Sequence, residues 1–329
     1  MSKSPIDVLA MGNAMVDVLA NVDEAYITHH DLQRGAMSLI DEKRAVELYA
    51  TMANPMEMSG GSAGNTIAGL ASFGGKGAYI GKVAQDPLGE TFRNDMKKQG
   101  VIYNTLPIII GAKTGRCLVA ITPDGERTMN TYLGAGLHLS GEDLDADLIT
   151  SAAITYLEGY MFDPPHAKEA FRTTAEIAHS AGRMVSITLS DAFCVDRHRD
   201  DFAAFVEQNT DILFANEAEI TSLYKTNTFE EAAKIVGTKC KIAVLTRSAE
   251  GSVIVSDGKF IEIKAEPISK VVDTTGAGDQ YAAGFLYGLS QDMPLETCGR
   301  LGSLAAAEVI SHMGPRPLVT YADLVKKAA

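Results

Sequence analysis

Short apolar runs alternate with amphipathic stretches along nearly the whole chain. The runs at 6–11, 77–83, 153–157, 184–189, 212–214 and 242–246 read as strands buried on both faces. Between them, positions 41–52, 64–73, 87–98, 166–181 and 229–236 place apolar residues at helical spacing. Two longer helical patterns, 280–290 and 295–313, fill the C-terminal end. This alternation predicts an α/β fold, with a mostly parallel central sheet and helices layered on both sides of it.

Two regions break the rhythm. Residues 13–40 carry an extended stretch at 16–22 and then the apolar run MSLI at 37–40. Residues 105–134 hold LPIII, CLVAI and TMNTYL around Pro123-Asp124-Gly125, a turn composition that predicts a hairpin. Together they predict a small extra β-sheet, interrupted in sequence and attached to a single domain spanning 1–329. The acidic run LSGEDLDAD at 139–147 lacks the glycine and the final glutamate of a calcium loop, so Ser140 with Asp143 is expected to cap a helix.

Composition narrows the class. With 329 residues, 46% of them apolar, the chain can bury a large core. A formal charge of −13 and a pI near 5.0 argue against nucleic acid or an anionic membrane as partner. They leave room for a phosphorylated ligand held by backbone amides and a few cations. Cys117, Cys194, Cys240 and Cys298 are scattered without a CxxC and read as free thiols in a reducing compartment. The start MSKSPIDVLAMGN has no leader-like apolar segment, and no run is long enough to span a bilayer. The expectation is a cytoplasmic protein.

Four segments carry candidate chemistry. In VVDTTGAGDQYAAG at 271–284, an apolar pair leads into a glycine turn and then a helical pattern. Free N–H groups at a helix N-terminus favour an anion, and glycines let one approach. Yet Asp279 places a carboxylate in the same cradle; taken alone, the stretch reads equally well as a turn capped by an acid. It is not a Walker A loop or a full GxGxxG. SGGSAGNTIAGLASFGG at 59–75 offers a flexible joint at Gly60-Gly61 and Asn65 at the start of a small-residue helix, which also suits close helix packing. GNAMVD at 12–17 puts Asn13 and Asp17 just beyond the first strand, where open α/β sheets meet ligands or where a turn begins. NEAE at 216–219 lets Asn216 and Glu219 share a helix face or form a capping box.

In this order the four segments resemble the PfkB family of carbohydrate and nucleoside kinases, the ribokinase family, over nearly the whole chain. DTTGAGD at 273–279 is similar to the family's C-terminal signature, and 60–90 to its N-terminal one. The resemblance implies a three-layer αβα ribokinase-like fold whose β-sheet lid is formed by insertions at about 13–40 and 105–134. It implies ATP as phosphoryl donor and Mg²⁺ held largely by ATP oxygens and water. Asp279 would be the catalytic base, ionised without needing a raised pKa, and the amides of Gly276, Ala277 and Gly278 the anion hole. Asn13, Asp17, Gly61 and Asn65 would bond substrate hydroxyls, while Asn216 and Glu219 would order the water around Mg²⁺.

Three further assignments follow from the same resemblance. Arg127 resembles a lid arginine that reaches the phosphates, a solvated hairpin residue being the alternative. Thr246 and Gly251 resemble a nucleotide-contacting loop, with Ser248 standing where the family usually has glycine. Asp273 and Thr275 match part of a K⁺ site, whereas SHMGPRP departs from the ribokinase pattern, which leaves K⁺ open. The lid is expected to close about Gly60-Gly61, in a monomer or a lid-mediated homodimer.

The Asn-to-Asp spacing in GNAMVD, TGRC at 114–117 and SITLSDAF at 186–193 resemble the adenosine kinase branch. The implied reaction is phosphorylation of the 5′-hydroxyl of adenosine to AMP, with Leu39, Cys117 and Phe193 as an apolar slot for the base; ordinary core is the alternative for each. LEGYMF at 157–162 resembles fructokinase-type chains, so fructose, ribose or 2-keto-3-deoxygluconate is the alternative substrate. A nicotinamide dehydrogenase would need a GxG after the first strand, and a metal hydrolase a motif such as HExxH; neither is present. A non-catalytic binding protein on this fold should lack the base.

Overall fold

The strand Ile6–Met11 (β1) is buried along its whole length, and its side chains enter two different cores. Leu9 and Met11 pack with Phe171, Phe202 and Phe205, whereas Val8 and Ala10 pack with Ile67, Phe92 and Phe285. Alternation along one strand therefore separates two helical layers. Helices Pro165–Ser180, Ala192–Asn209 and Phe229–Val236 form one layer, and Ser62–Ser72, Pro87–Lys98, Ala277–Ser290 and Leu295–Val309 the other. The expected three-layer αβα architecture is present in this computed structural model, which describes residues 4–328.

The remaining strands, in chain order, are β2 (Met15–Asn21), β3 (Met37–Leu39), β4 (Met56–Gly60), β5 (Gly77–Ile80), β6 (Ile102–Tyr103), β7 (Gly115–Ile121), β8 (Arg127–Tyr132), β9 (Ala152–Glu158), β10 (Met184–Thr188), β11 (Ile212–Asn216), β12 (Ile242–Thr246), β13 (Ser252–Ser256) and β14 (Lys259–Ile263). Nine strands form the large sheet in the order β14-β13-β12-β11-β10-β9-β1-β5-β6. It is parallel except at the β12–β13 and β13–β14 pairings. That antiparallel edge is absent from the sequence expectation. Asp257 and Gly258, with φ of 50° and 72°, make the tight left-handed turn that joins β13 to β14.

The second sheet runs β3-β8-β7-β2-β4. The hairpin expected around Pro123-Asp124-Gly125 is its β7–β8 pair. Two details differ from the expected segments. β4, from 56–60, adds an edge strand, pairing Met15 with Gly60 and Asp17 with Met58. The LPIII run stays with the main body, where Ile108 bridges to Ala84, and Leu106, Ile109 and Ile110 are exposed. One face of the small sheet packs into the main core through Val16, Val18 and Leu118, against Ala45 and Leu48 of helix Glu42–Thr51. The opposite face carries Leu19, Cys117, Val119 and Ile121, and by alternation Asp17 shares it.

Ser140 and Asp143 form the expected capping box, over a 3₁₀ turn rather than an α-helix. The last long helix stops at Val309, because the carbonyl of Ile310 accepts from Val272 N–H and the chain turns at Gly314. Among the described residues no helix is long and apolar enough to cross a membrane.

Candidate active site

Helix Ala277–Ser290 begins where the GAGD turn ends. Its N-cap, Gly276, has φ of 78°, a left-handed conformation that costs any other L-residue energy. A Cβ there would also stand 2.7 Å from Pro315 Cβ and 2.8 Å from Pro315 O. Gly278 is the opposite case: a Cβ would meet nothing within 4 Å. Gly276 is required by the fold; the open flank of Gly278 is left to whatever approaches the helix start. The first-turn N–H groups lack partners within the helix, that of Ala277 donating back to the Thr274 carbonyl at 3.2 Å, and the helix start favours negative charge.

Asp279 lies in that first turn, half-buried. Its Oδ1 accepts from Ser62 Oγ at 2.6 Å and its Oδ2 from Asn65 Nδ2 at 2.9 Å. Burial raises its pKa, a shift the sequence reading did not require; the bonds from Ser62 and Asn65 and the charge of Arg316 pull the other way. Both donors stand at the start of helix Ser62–Ser72, so two helix N-termini meet at one carboxylate.

That second helix is held from below. Its N-cap Gly61 has φ of 82°, and a Cβ there would collide with the Asn13 carbonyl. Glu158, at the end of β9, accepts from Ala63 N–H at 2.9 Å and from Asn13 Nδ2 at 2.9 Å. Only 1% exposed, its carboxyl is pushed up to about 7 by burial. Asn13 thus faces Glu158, and its Oδ1 is buried without a hydrogen-bond partner. Asp17 lies against Gly60, so closely that a Cβ on Gly60 would overlap its carboxylate. Burial raises Asp17 to about 6, offset in part by Arg316 and Arg127.

Arg127 is not a solvated hairpin residue. Its Nη1 donates to Thr275 Oγ1 at 2.7 Å and its Nη2 pairs with Asp273 Oδ2 at 2.5 Å. Asp273 also accepts from Thr275 N–H at 3.0 Å and Gly314 N–H at 2.7 Å. The small sheet is thereby pinned to the GAGD turn by one guanidinium. Asn216 and Glu219 form the capping box: each side chain accepts from the other's backbone N–H at 2.9 Å. Burial raises Glu219 to about 7. Thr246 lies opposite Asn216 on the adjacent strand, and Gly251 closes the turn that follows. Ser248, standing where a glycine was expected, adopts φ of 51°.

The apolar slot is only partly assembled. Register places Leu39, Thr131, Cys117 and Asp17 in one row across the small sheet. Cys117 is buried, its thiol pushed up to about 12, while Leu39 is 56% exposed. Phe193 lies in the first turn of helix Ala192–Asn209, beside the large sheet, and is 78% exposed. Sequence reasoning passed over Ser62, Glu158 and Arg316. All three sit inside quoted stretches, Ser62 in SGGSAGN, Glu158 in LEGYMF and Arg316 in SHMGPRP, but none was singled out there for a role.

A carboxylate at a helix N-terminus on an α/β fold is an arrangement suited to phosphoryl transfer to a small molecule. The comparisons agree. The model of the pfkB family of carbohydrate kinases matches residues 13–320, and the chain belongs to that family. It is accordingly an ATP-dependent kinase acting on an alcohol group. The crystal structure of adenosine kinase from Sinorhizobium meliloti is 48% identical, covers 100% of both chains and superposes with a TM-score of 0.92. A probable sugar kinase from Rhizobium etli is also 48% identical, over 99% of both chains, with a TM-score of 0.92. Adenosine kinase of Saccharomyces cerevisiae is 29% identical over 93% of this chain and 95% of its own.

Proposed function

We propose that the chain phosphorylates the 5′-hydroxyl of adenosine, giving AMP and ADP. The observation that carries the chemistry is the Asp279 carboxylate, fixed by Ser62 and Asn65 beside the open flank of Gly278. Asp279 takes the hydroxyl proton, the substrate oxygen bonds to the γ-phosphorus of ATP, and the bond to the β-phosphate oxygen breaks as ADP departs. The N–H groups at Gly276–Asp279 receive the charge of the transferring group. Arg127, already at the turn through Thr275, supplies a nearby cation. The adenosine assignment is supported by the 48% identity to the S. meliloti adenosine kinase and by the aligned row of Leu39, Cys117 and Asp17.

Mg²⁺ would neutralise the phosphates of ATP. Among the described residues no three His, Cys, Asp or Glu side chains converge on a metal site, and Glu219 spends both oxygens on Asn216. Such a site fits an ion held by nucleotide and water, with Glu219 acting through water. A monovalent cation at Asp273 and Thr275 would share that carboxylate with Arg127; equal rates in K⁺ and Na⁺ are the outcome this arrangement supports.

The second reading is a free-sugar kinase. It is favoured by the exposure of Phe193, which leaves the base slot without its aromatic wall, and by the R. etli relative. A coupled ADP-release assay over adenosine, inosine, ribose, fructose and 2-keto-3-deoxygluconate decides between them. Turnover of a sugar with none of any nucleoside overturns the adenosine assignment.

A further inference from the structure

Arg316 stands behind the site, outside the four motifs, yet its side chain runs into the hydrogen-bond chain that ends at Asp279. Its Nε donates to Asn65 Oδ1 at 2.8 Å, and its Nη1 to Gln99 Oε1 at 3.2 Å. Both bonds go to amide oxygens rather than carboxylates. Its Nη2 is buried and has no hydrogen-bond partner. A cation buried in this way, with a donor unspent, costs stability, and a neutral side chain of similar size would pack there more favourably. Packing alone does not account for the choice of arginine.

The chemistry of the amide does. Asn65 carries one acceptor and two donors, and either end could face Asp279. An acceptor facing the carboxylate would repel it. Arginine has no acceptor, so Nε can only donate, and Asn65 must turn Oδ1 toward it. That leaves Nδ2 to donate to Asp279 Oδ2, and with Ser62 it fixes the carboxylate from two sides. We propose that Arg316 is a positioning residue for phosphoryl transfer: it locks the Asn65 amide in the orientation that holds Asp279, and its charge offsets the carboxylates gathered there.

This rests on Asp279 as the base. The acidic groups that feel Asp279 are Asp17 from β2, Glu158 from β9 and Glu219 from helix Glu217–Tyr224, with the phenols of Tyr156 and Tyr160. Arg316, itself held at about 10 by burial and so charged at neutral pH, is the cation that opposes them at Asp279.

The test is a double-mutant cycle on the full chain, with steady-state kinetics on the acceptor that turns over. Arg316→Met should lower kcat about 10- to 100-fold in the native background, the scale of losing a residue that orients a reacting group. In an Asn65→Leu background the same change should cost less than about 3-fold, because the amide it orients is gone. The KM for ATP should move less than kcat, and the acid limb of the pH profile should shift upward. Arg316→Lys, which keeps the charge, should bring that limb back toward native. Equal losses in both backgrounds, or an unmoved acid limb, overturn the proposal. Where the Met variant does not fold, Arg316→Gln keeps a donor but not the charge, and its acid limb must still move up. Asp279→Asn separates the two levels. If that variant turns over at the native rate, the base assignment fails; if it is inactive while the cycle is additive, only the role of Arg316 fails.

Discussion

The two glycines of the GAGD turn should respond to the same substitution in opposite ways. At Gly276, alanine must adopt φ near 78° and bring its Cβ to 2.7 Å from Pro315 Cβ and 2.8 Å from Pro315 O. The backbone conformation costs about 1–2 kcal/mol. The close contacts add about 1–3 kcal/mol, because Pro315 is fixed by its own carbonyl, which accepts from Gln280 Nε2 at 2.9 Å. The sum is about 2–5 kcal/mol, which for a chain of this size lowers Tm by roughly 3–7 °C. At Gly278, alanine meets nothing, and within a helix it gains about 0.5–1 kcal/mol over glycine. Its Tm should stay level or rise. Its methyl group, however, fills the flank through which a phosphate would approach the helix N–H groups. kcat/KM for ATP should therefore fall about 100-fold or more, on the scale of a lost oxyanion donor. Thermal melts and the ADP-release assay on both variants measure all four quantities. Gly278→Ala with native kinetics would falsify the anion cradle, and Gly276→Ala with native stability would contradict the turn geometry.

Asp279→Asn should retain ATP binding and lose about 10²–10⁴ in kcat, read by calorimetry and by turnover; native turnover ends its role as base. Arg127→Met removes the cation from the buried Asp273, which keeps two backbone donors, so stability should fall by about 1–3 kcal/mol and KM for ATP should rise; an unchanged KM would confine Arg127 to structure. Glu158 is raised to about 7 in the folded state from an ordinary carboxyl value near 4.5. Below that ordinary value it is protonated in both states. Between there and about 7 the folded state alone holds the proton, so its contribution to stability declines as pH rises through that window, by on the order of 1–3 kcal/mol. Glu158→Gln should flatten this slope in urea melts between pH 5 and 8, and a slope as steep as native would place the titration elsewhere.

The alternating apolar pattern announced the layers because each central strand is covered on both faces, as the two cores flanking β1 show. The edge hairpin β13–β14 was equally legible: an Asp-Gly pair sits between apolar runs at 257–258, a strong local turn signal that was passed over. β4 was not, because MEMSG has little strand character and pairs only when β2 presents an edge to it. The site divides along the same line. Gly276 announces itself because local backbone geometry restricts what can stand there, and Asp279 and Asn65 because they fall in recognisable local motifs.

Glu158 and Arg316 do not, because their importance is relational. Each is an ordinary charged residue in the chain, and each gains its role from a partner more than 90 positions away: Glu158 from Ala63 and Arg316 from Asn65. They brace the same short helix start from different directions. Glu158 takes the N–H of Ala63 in its first turn, and Arg316 fixes the side-chain amide two residues further on. Asp279 is therefore held by a helix end that is itself held at two points. The Asp279 carboxylate can be raised in pKa by burial without being free to turn away, since Ser62 and Asn65 act on it from a braced frame. Loosening either brace should blunt the base, because Ser62 and Asn65 then lose the frame from which they hold the carboxylate.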